Sequence, residues 1–168
     1  MVKKSRSAHA GTPALVALEA AGVRHTAHAY DHDPASDLGY GLEAAQVLGV
    51  PAEQVFKTLM TSVDGELTVA VVPVTGMLDL KALAHAVGGK RAVMADRAVA
   101  ERVTGYVLGG ISPLGQRTAH PTVVDETAEL FDTVFVSGGR RGLDVELAPG
   151  DLVALTGAVV AAIARDDA

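Results

Sequence analysis

The stretch "VFKTLMTSVDGELTVAVVPV", residues 55–74, decides how the rest of the chain is read. Two runs rich in Val, Thr and Leu, 55–62 and 66–74, flank "VDG" (63–65). That pattern predicts a β-hairpin closed by a tight turn. A hairpin in mid-sequence puts antiparallel strands into whatever sheet the chain builds.

Working outward, helix and strand signals alternate with no internal repeat. Thr12 is a good N-cap, Pro13 suits the first helical position and Gly22 stops the run, so 13–21 is expected to be helical. "VRHTAHAY" (23–30) alternates as a short strand and "DHDPASD" (31–37) has turn chemistry. "LEAAQVLG" (42–49) reads as a helix closed by Gly49. Asp79 and Asp96 cap two further helices, and strands are expected at 122–125 and 133–137. "SGGRRGLDVELAP" (137–149) reads as a turn entering a strand, and "PGDLVALTGAVVAAIA" (149–164) as a short helix and a last strand. Short strands mixed with short helices give an α/β (α+β) domain with a mixed sheet.

Composition narrows the function classes. The 168 residues are most simply one domain, 49% hydrophobic and so able to bury a core. No apolar run is long enough to span a bilayer. "MVKKSRSAHAG" (1–11) is basic without the apolar stretch of a secretory signal and reads as a flexible lead-in. The expected compartment is therefore the cytoplasm. With no cysteine, the protein has neither a disulfide nor a thiol nucleophile. A net charge of −6 argues against a protein that coats DNA through its overall field. The charge is uneven: residues 1–30 sum to +3 and 81–141 to +2, against −6 over 31–66 and −4 over 142–168. A phosphate-bearing ligand can therefore still be met locally.

Familiar catalytic patterns fail. "GGISPLG" has Leu114 where a G-x-S-x-G nucleophile elbow needs glycine, and "GGKRA" lacks the spacing of a P-loop. His25, His28 and His32 have spacings that ligate metal on a helix, but they lie on a strand entering a turn; no metal site or cofactor is expected. What remains is a few polar residues in apolar company. Lys57 has only Thr58 as a polar neighbour in its strand. It is either a lysine on a wet face with its stem on neighbours, or a cation at the floor of a cleft. Ser137 stands before a glycine turn, and Asp144 begins the strand across it. "GYVLGGISPLGQ" (105–116) carries four glycines yet keeps Tyr106, Leu108, Ile111 and Leu114, a loop built to be packed.

"TPALVALEAAGV", "HAYDHDP", "FKTLM", "GYVLGGISPLGQ" and "VSGGRRGLDVEL" occur in this order and spacing in the YbaK family of Cys-tRNA(Pro) deacylases, which this chain resembles over about residues 12–165. The resemblance extends to the editing domain inserted in bacterial prolyl-tRNA synthetases. It implies one editing domain over 12–168, with a mixed, partly closed β-barrel-like sheet surrounded by short helices. It also implies hydrolysis of misacylated Cys-tRNA(Pro), with the thiol of the esterified cysteine attacking its own carbonyl. The alternatives are a deacylase for another misacylated tRNA such as Ala-tRNA(Pro), or a nucleotide- or tRNA-binding relative without activity. The implied partners are the tRNA acceptor end and, transiently, prolyl-tRNA synthetase.

Carried onto this chain, the resemblance places Lys57, Gly109, Ser137 and Asp144 in the catalytic set. Tyr30, Tyr40, Thr58, Gly110, Ile111 and Ser112 fall in the substrate-binding set. The backbone of Gly109 and Gly110 would hold the aminoacyl group, since only glycine lets the main chain approach a ligand so closely. Arg91, Arg117, Arg140 and Arg141 are the basic residues expected near the acceptor end. One departure stands out: relatives carry Phe where this chain has Tyr40, and one extra residue separates "HDP" from it.

Overall fold

A computed structural model describes residues 11–36 and 38–166. The lead-in expected over residues 1–11 falls, apart from Gly11, outside the described residues. The Asp-Gly hairpin forms as its chemistry requires: Asp64 and Gly65 adopt φ of +50° and +86°, and Val63 pairs with Glu66 across a two-residue turn. The Asp64 carboxylate then accepts the amides of Lys90 and Arg91 at 2.8 and 2.9 Å, docking the next segment onto the turn.

The hairpin strands, β2 (Phe56–Val63) and β3 (Glu66–Pro73), are the middle of a five-stranded sheet. β5 (Ala92–Met94) lies antiparallel on one side of the pair, and β6 (Thr122–Asp125) and β9 (Val159–Ala161) continue parallel on the other. A second, antiparallel sheet has the order β1 (His25–Ala29), β8 (Leu143–Leu147), β7 (Val134–Arg140). β4 (Gly76–Leu78) pairs with β10 (Ala164–Asp166) as a small ribbon. A parallel bridge between Val55 and Phe135 stitches the start of β2 to β7. The two sheets thus curl toward each other without closing, a partly closed mixed sheet.

Helices α1 (Pro13–Ala20), α2 (Tyr40–Leu48), α3 (Leu80–Ala86), α4 (Arg97–Thr104) and α5 (Pro149–Thr156) surround the sheets. Their starts follow local chemistry: the side chains of Thr12, Asp79 and Asp96 each accept a backbone amide of the first turn. Gly49 and Gly157 end α2 and α5 in the left-handed conformation. No helix among the described residues is long and apolar enough to cross a membrane.

β3 is covered on both faces, as an unbroken apolar run requires. Val69 and Val71 join the main core with Leu18, Phe56, Val136, Val145 and Leu152, between the two sheets and under α1 and α5. Ala70 and Val72 face a second core with Leu83, Val123 and Ile163 beneath α3. The glycine loop belongs to the main core: Tyr106, Ile111 and Leu114 are buried, and the Tyr106 hydroxyl donates to the Leu114 carbonyl at 2.7 Å. Val107 and Leu108, which the composition also suggested would pack, are exposed instead, so the expectation holds for only part of the loop.

Two details differ from the sequence expectation. β7 does not stop at Ser137 but runs on to Arg140, interrupted by an irregularity at Gly138–Gly139. Gly139, at φ +109° with its missing Cβ direction against Tyr106, lets the strand continue after that break. The short strands β4, β5 and β10 carry no alternation of their own and exist through their partners.

The buried Asp125 ties the end of the chain to the sheet. One carboxylate oxygen accepts the amides of Ile163 and Ala164, both at 2.9 Å, and the other accepts the amide and hydroxyl of Thr127. Asp125→Ala strands those buried donors and is expected to destabilise the fold by about 2–4 kcal/mol. Urea denaturation followed by circular dichroism measures the loss, and a shift under about 0.5 kcal/mol would show the tie to be dispensable.

Candidate active site

A cavity of about 470 Å³ opens where the two sheets meet at the Val55–Phe135 stitch. Its floor is the first half of β2, with Phe56, Lys57, Thr58 and Leu59. One wall is the second sheet, contributing Tyr30, Ser137, Arg140 and Asp144; the glycine loop adds Leu108, Gly109 and Ile111. Gly39, Tyr40, Gly41 and Leu42, at the start of α2, complete the lining with Val74. Gly41 is small for a reason: a Cβ there would fall 2.2 Å from a methyl of Val74.

Register sets the polar row in the sheet wall. His28 on β1 and Ser137 on β7 both lie directly opposite Asp144 on the central strand β8. The carboxylate therefore sits between the imidazole and the hydroxyl. A Ser-His-Asp triad needs the imidazole in the middle, as base to the hydroxyl. Here His28 Nε2 is engaged elsewhere, 2.9 Å from Glu146 Oε1, and its ring tilts against Phe135. Ser137 Oγ accepts the Gly139 amide at 3.2 Å and has no imidazole partner among the described residues. The row is thus not a Ser-His-Asp triad.

Asp144 is buried, and burial pushes its carboxyl up to about 7, with the nearby His28 opposing that shift. It can hold or release a proton close to neutrality. Burial, with Asp144 and Glu43 nearby, also raises the Tyr30 phenol, which stays protonated as a hydrogen-bond donor at neutral pH. Lys57 is half-buried and forms no ion pair among the described residues. Thr58 Oγ1 is shielded from solvent and has no partner among the described residues. A cation without an anion and a hydroxyl without a partner share this floor, an arrangement suited to an anionic, hydroxyl-bearing ligand.

Across the mouth, Tyr40 is held from two sides. His32 lies with its ring centroid 4.9 Å from that of Tyr40, and the Arg141 guanidinium stands 4.9 Å over the ring. His32 Nδ1 is 2.6 Å from Oε1 of the buried Glu43, whose other oxygen accepts the Asp33 amide at 2.8 Å. Those two bonds hold the Glu43 carboxyl below its ordinary range. Gly109 packs against this assembly at φ +89°; an added Cβ would lie 2.6 Å from Tyr40 Cε2 and 2.8 Å from Arg141 Nε. No other residue fits there without strain.

Of the residues singled out in the sequence, Tyr30, Tyr40, Lys57, Thr58, Gly109, Ile111, Ser137 and Asp144 line this one cavity. Gly110 and Ser112 stand behind it. The Gly110 amide donates to Val107 at 2.9 Å and its Cα packs on the Arg140 backbone, while buried Ser112 accepts the Leu114 amide at 3.2 Å. Arg140 lines the cavity; Arg117 packs instead beside Gly105 and donates to the Arg102 carbonyl. His25, His28 and His32 have separate partners, and no group of three or more metal-ligating side chains gathers among the described residues. Sequence reasoning missed the roles of His32, Glu43 and Arg141 in holding Tyr40. The Asp33-Pro34 turn followed by an acid in the next helix was the one available signal.

Comparison with known proteins agrees with this geometry. The model of the aminoacyl-tRNA editing domain matches residues 40–155, which hold all the lining residues except Tyr30 and Gly39. EbsC of Enterococcus faecalis, a proposed Cys-tRNA(Pro)/Cys-tRNA(Cys) deacylase, is 42% identical over 115 residues, covering 67% of this chain and 69% of that protein. The proline–tRNA ligase of Geobacter metallireducens is 35% identical over 101 residues, 60% of this chain but only 17% of the ligase. The crystal structure of a proposed trans-editing enzyme for prolyl tRNA synthetase superposes with a TM-score of 0.78 at 29% identity, covering 91% of this chain and 95% of that one. The chain belongs to the aminoacyl-tRNA editing domain family.

Proposed function

We propose that this protein deacylates Cys-tRNA(Pro), releasing cysteine that prolyl-tRNA synthetase has loaded in error. The observation that carries this reading is the cavity in which Lys57, Thr58, Gly109 and Asp144 meet without a base-activated serine beside them. Such a site positions and stabilises; the nucleophile comes from the substrate, and a cysteinyl ester brings its own thiol. Lys57 takes the phosphate or ribose end of the terminal adenosine, and Thr58 and Ser137 offer hydroxyls to the ribose. The loop at Gly109 borders the aminoacyl group. Proximity is then the main catalytic effect, since an oriented intramolecular attack needs no second reactant to be captured.

The need for the reaction is physical. Cysteine and proline are close in size, and a pocket separates ligands differing by one methylene by only about 1–3 kcal/mol, so a second site must remove the error. The decisive assay compares Cys-, Ser-, Ala- and Pro-tRNA(Pro) for the wild type and Lys57→Ala. Cys-tRNA(Pro) is expected to be cleaved at least about 100-fold faster than Ser-tRNA(Pro), because an alcohol is a poor nucleophile near neutrality. Lys57→Ala is expected to lose most activity at an unchanged melting temperature. Equal rates on the seryl and cysteinyl esters would point to an activated water and sink the thiol mechanism.

Asp144 gives a pH signature independent of substrate. Its folded pKa, about 7, stands above the unfolded value of 3.8, so folding favours the protonated form. Its stabilising contribution is complete below about pH 4 and is lost as pH rises through about 7. Asp144→Asn removes that loss. The melting temperature of the variant relative to wild type is therefore expected to rise from pH 4 to 7 and to level off above. A flat difference across that range would place the carboxyl in an ordinary solvated setting.

Selectivity for the tRNA needs a partner. The net charge is −6, and Lys57 and Arg140 are the two cations that line the cavity, too few to grip a whole tRNA. The E. faecalis relative is named for both Cys-tRNA(Pro) and Cys-tRNA(Cys), as expected of a domain that reads only the acceptor end. Prolyl-tRNA synthetase, holding the tRNA by its body, supplies the discrimination in a transient complex. Deacylation of both tRNAs, with and without the synthetase, across a salt series tests this. Each phosphate contact contributes about −0.7 to −0.9 to the log–log slope, so two contacts give a shallow dependence. Strong tRNA(Pro) preference by the isolated protein would remove the need for the partner.

A further inference from the structure

Over residues 108–110 the amides of the glycine loop are held by named partners except for one. The Leu108 amide donates to Glu101 Oε2 at 2.7 Å, and the Gly110 amide donates to the Val107 carbonyl at 2.9 Å. The Leu108 carbonyl accepts two bonds from one guanidinium, from Arg141 Nε at 3.2 Å and Nη2 at 2.9 Å. Of the three amides at 108–110, that of Gly109 alone has no acceptor among the described residues. Leu108 C=O and Gly109 N–H belong to the same peptide unit. That unit is planar and trans, so its C=O and N–H point in opposite directions. Whatever holds the carbonyl toward Arg141 holds the N–H away from it, at a residue that lines the cavity.

We propose that Arg141 is a positioning residue that locks the 108–109 peptide so that the Gly109 N–H serves as a hydrogen-bond donor to the ester carbonyl oxygen of the aminoacyl group. This rests on the deacylase reading above. The lock is needed because glycine has no side chain to resist a flip of its peptide plane. Arg141 is itself held: its guanidinium stacks over Tyr40, and Tyr40 is backed by His32 on the buried Glu43. The forked, planar guanidinium meets both demands, stacking and double donation, where an ammonium meets neither as well.

The chemistry served is the same for either nucleophile. When a thiolate or a deprotonated water bonds to the carbonyl carbon, the π pair moves onto the oxygen. A donor waiting there stabilises that charge. As the oxyanion collapses, the C=O re-forms, the ester C–O bond breaks, and the ribose oxygen leaves and takes a proton. The Gly109 amide acts on the charge that develops at the transition state, so losing its aim lowers the rate of the chemical step more than it weakens binding.

Arg141→Ala and Arg141→Lys, both at an exposed position, test the lock in single-turnover deacylation of Cys-tRNA(Pro). For Arg141→Ala the rate constant is expected to fall about 10- to 100-fold while the half-saturating protein concentration moves less than about 2-fold. Arg141→Lys is expected to recover little, and added guanidinium ion to restore part of the Arg141→Ala rate by taking the seat over Tyr40. A wild-type rate in Arg141→Ala overturns the proposal. So does a loss carried wholly by the half-saturating concentration, which would make Arg141 a phosphate contact. The amide proton of Gly109 gives a readout without turnover. On adding 3′-cysteinylamino-3′-deoxyadenosine, the wild-type resonance is expected to shift downfield and that of Arg141→Ala to stay. Failure of the deacylase reading alone would leave this shift in place, whereas its absence from the wild type overturns the lock.

Discussion

The isolated parallel bridge from Val55 to Phe135 decides where the cavity opens. β2 belongs to the five-stranded sheet from its first residue, and Val55 just before it bridges to β7, an edge of the other sheet. Between the two sheets the main core fills most of the space with Leu18, Phe56, Val136, Val145 and Leu152. At the stitch Val55 and Phe135 pack with Ala45 in a third, smaller core, and the cavity opens beside it. Lys57 and Thr58 come two and three residues after the bridge on one side, while Ser137 comes two after it on the other. A cleft at a junction of sheets has walls fixed by two independent hydrogen-bond ladders, so its polar groups keep their spacing without a ligand. Rigid elements hold a site more precisely than loops do.

That rigidity carries an energetic conflict. Asp144 occupies the central strand of its sheet, buried, and its carboxyl is pushed up to about 7 by that burial. A carboxylate that served only the fold would have gathered backbone amides, as Asp125 does with those of Ile163 and Ala164. The two acids make a useful contrast: one is a knot, the other is held in reserve. Thr58 tells the same story with a hydroxyl, since its Oγ1 is hidden from solvent without a partner. His120 Nε2 is the other buried side-chain atom without a partner among the described residues, and it lies outside the cavity.

Local chemistry was legible where one residue decides one element. Asp64-Gly65 closed the hairpin, Thr12, Asp79 and Asp96 began helices, and Gly49 ended one. Three-residue strands such as β5 and β10 were not, because their hydrogen bonds depend on partners about 30 to 90 residues away. The site divides the same way. The isolation of Lys57 in an apolar strand and the packed glycine loop could be read directly. The row of His28, Asp144 and Ser137 could not, because it is a product of register across three strands. Nor could the Arg141 grip on Leu108, which joins two turns 33 residues apart. Motif resemblance supplied the set of cavity residues; only geometry separated Gly109 at the surface of the cavity from Gly110 behind it.

The order of residues in the row also bears on which reactions the site can adopt. With the carboxylate between imidazole and hydroxyl, and the imidazole tied to Glu146, a change at Ser137 cannot create a nucleophile–base pair without re-registering β8. A one-residue slip there would turn Leu143, Val145 and Leu147 out of the main core, at a cost no active site could offset. The constraint that builds the core thus also keeps a Ser-His-Asp triad out of this wall. The opposite side of the cavity is bound less tightly, since Tyr40, pressed on Gly109 between His32 and Arg141, belongs to neither ladder. A residue there can change in size without touching either ladder. Within this fold the cavity wall near Gly109 is therefore free to vary while the polar row stays put.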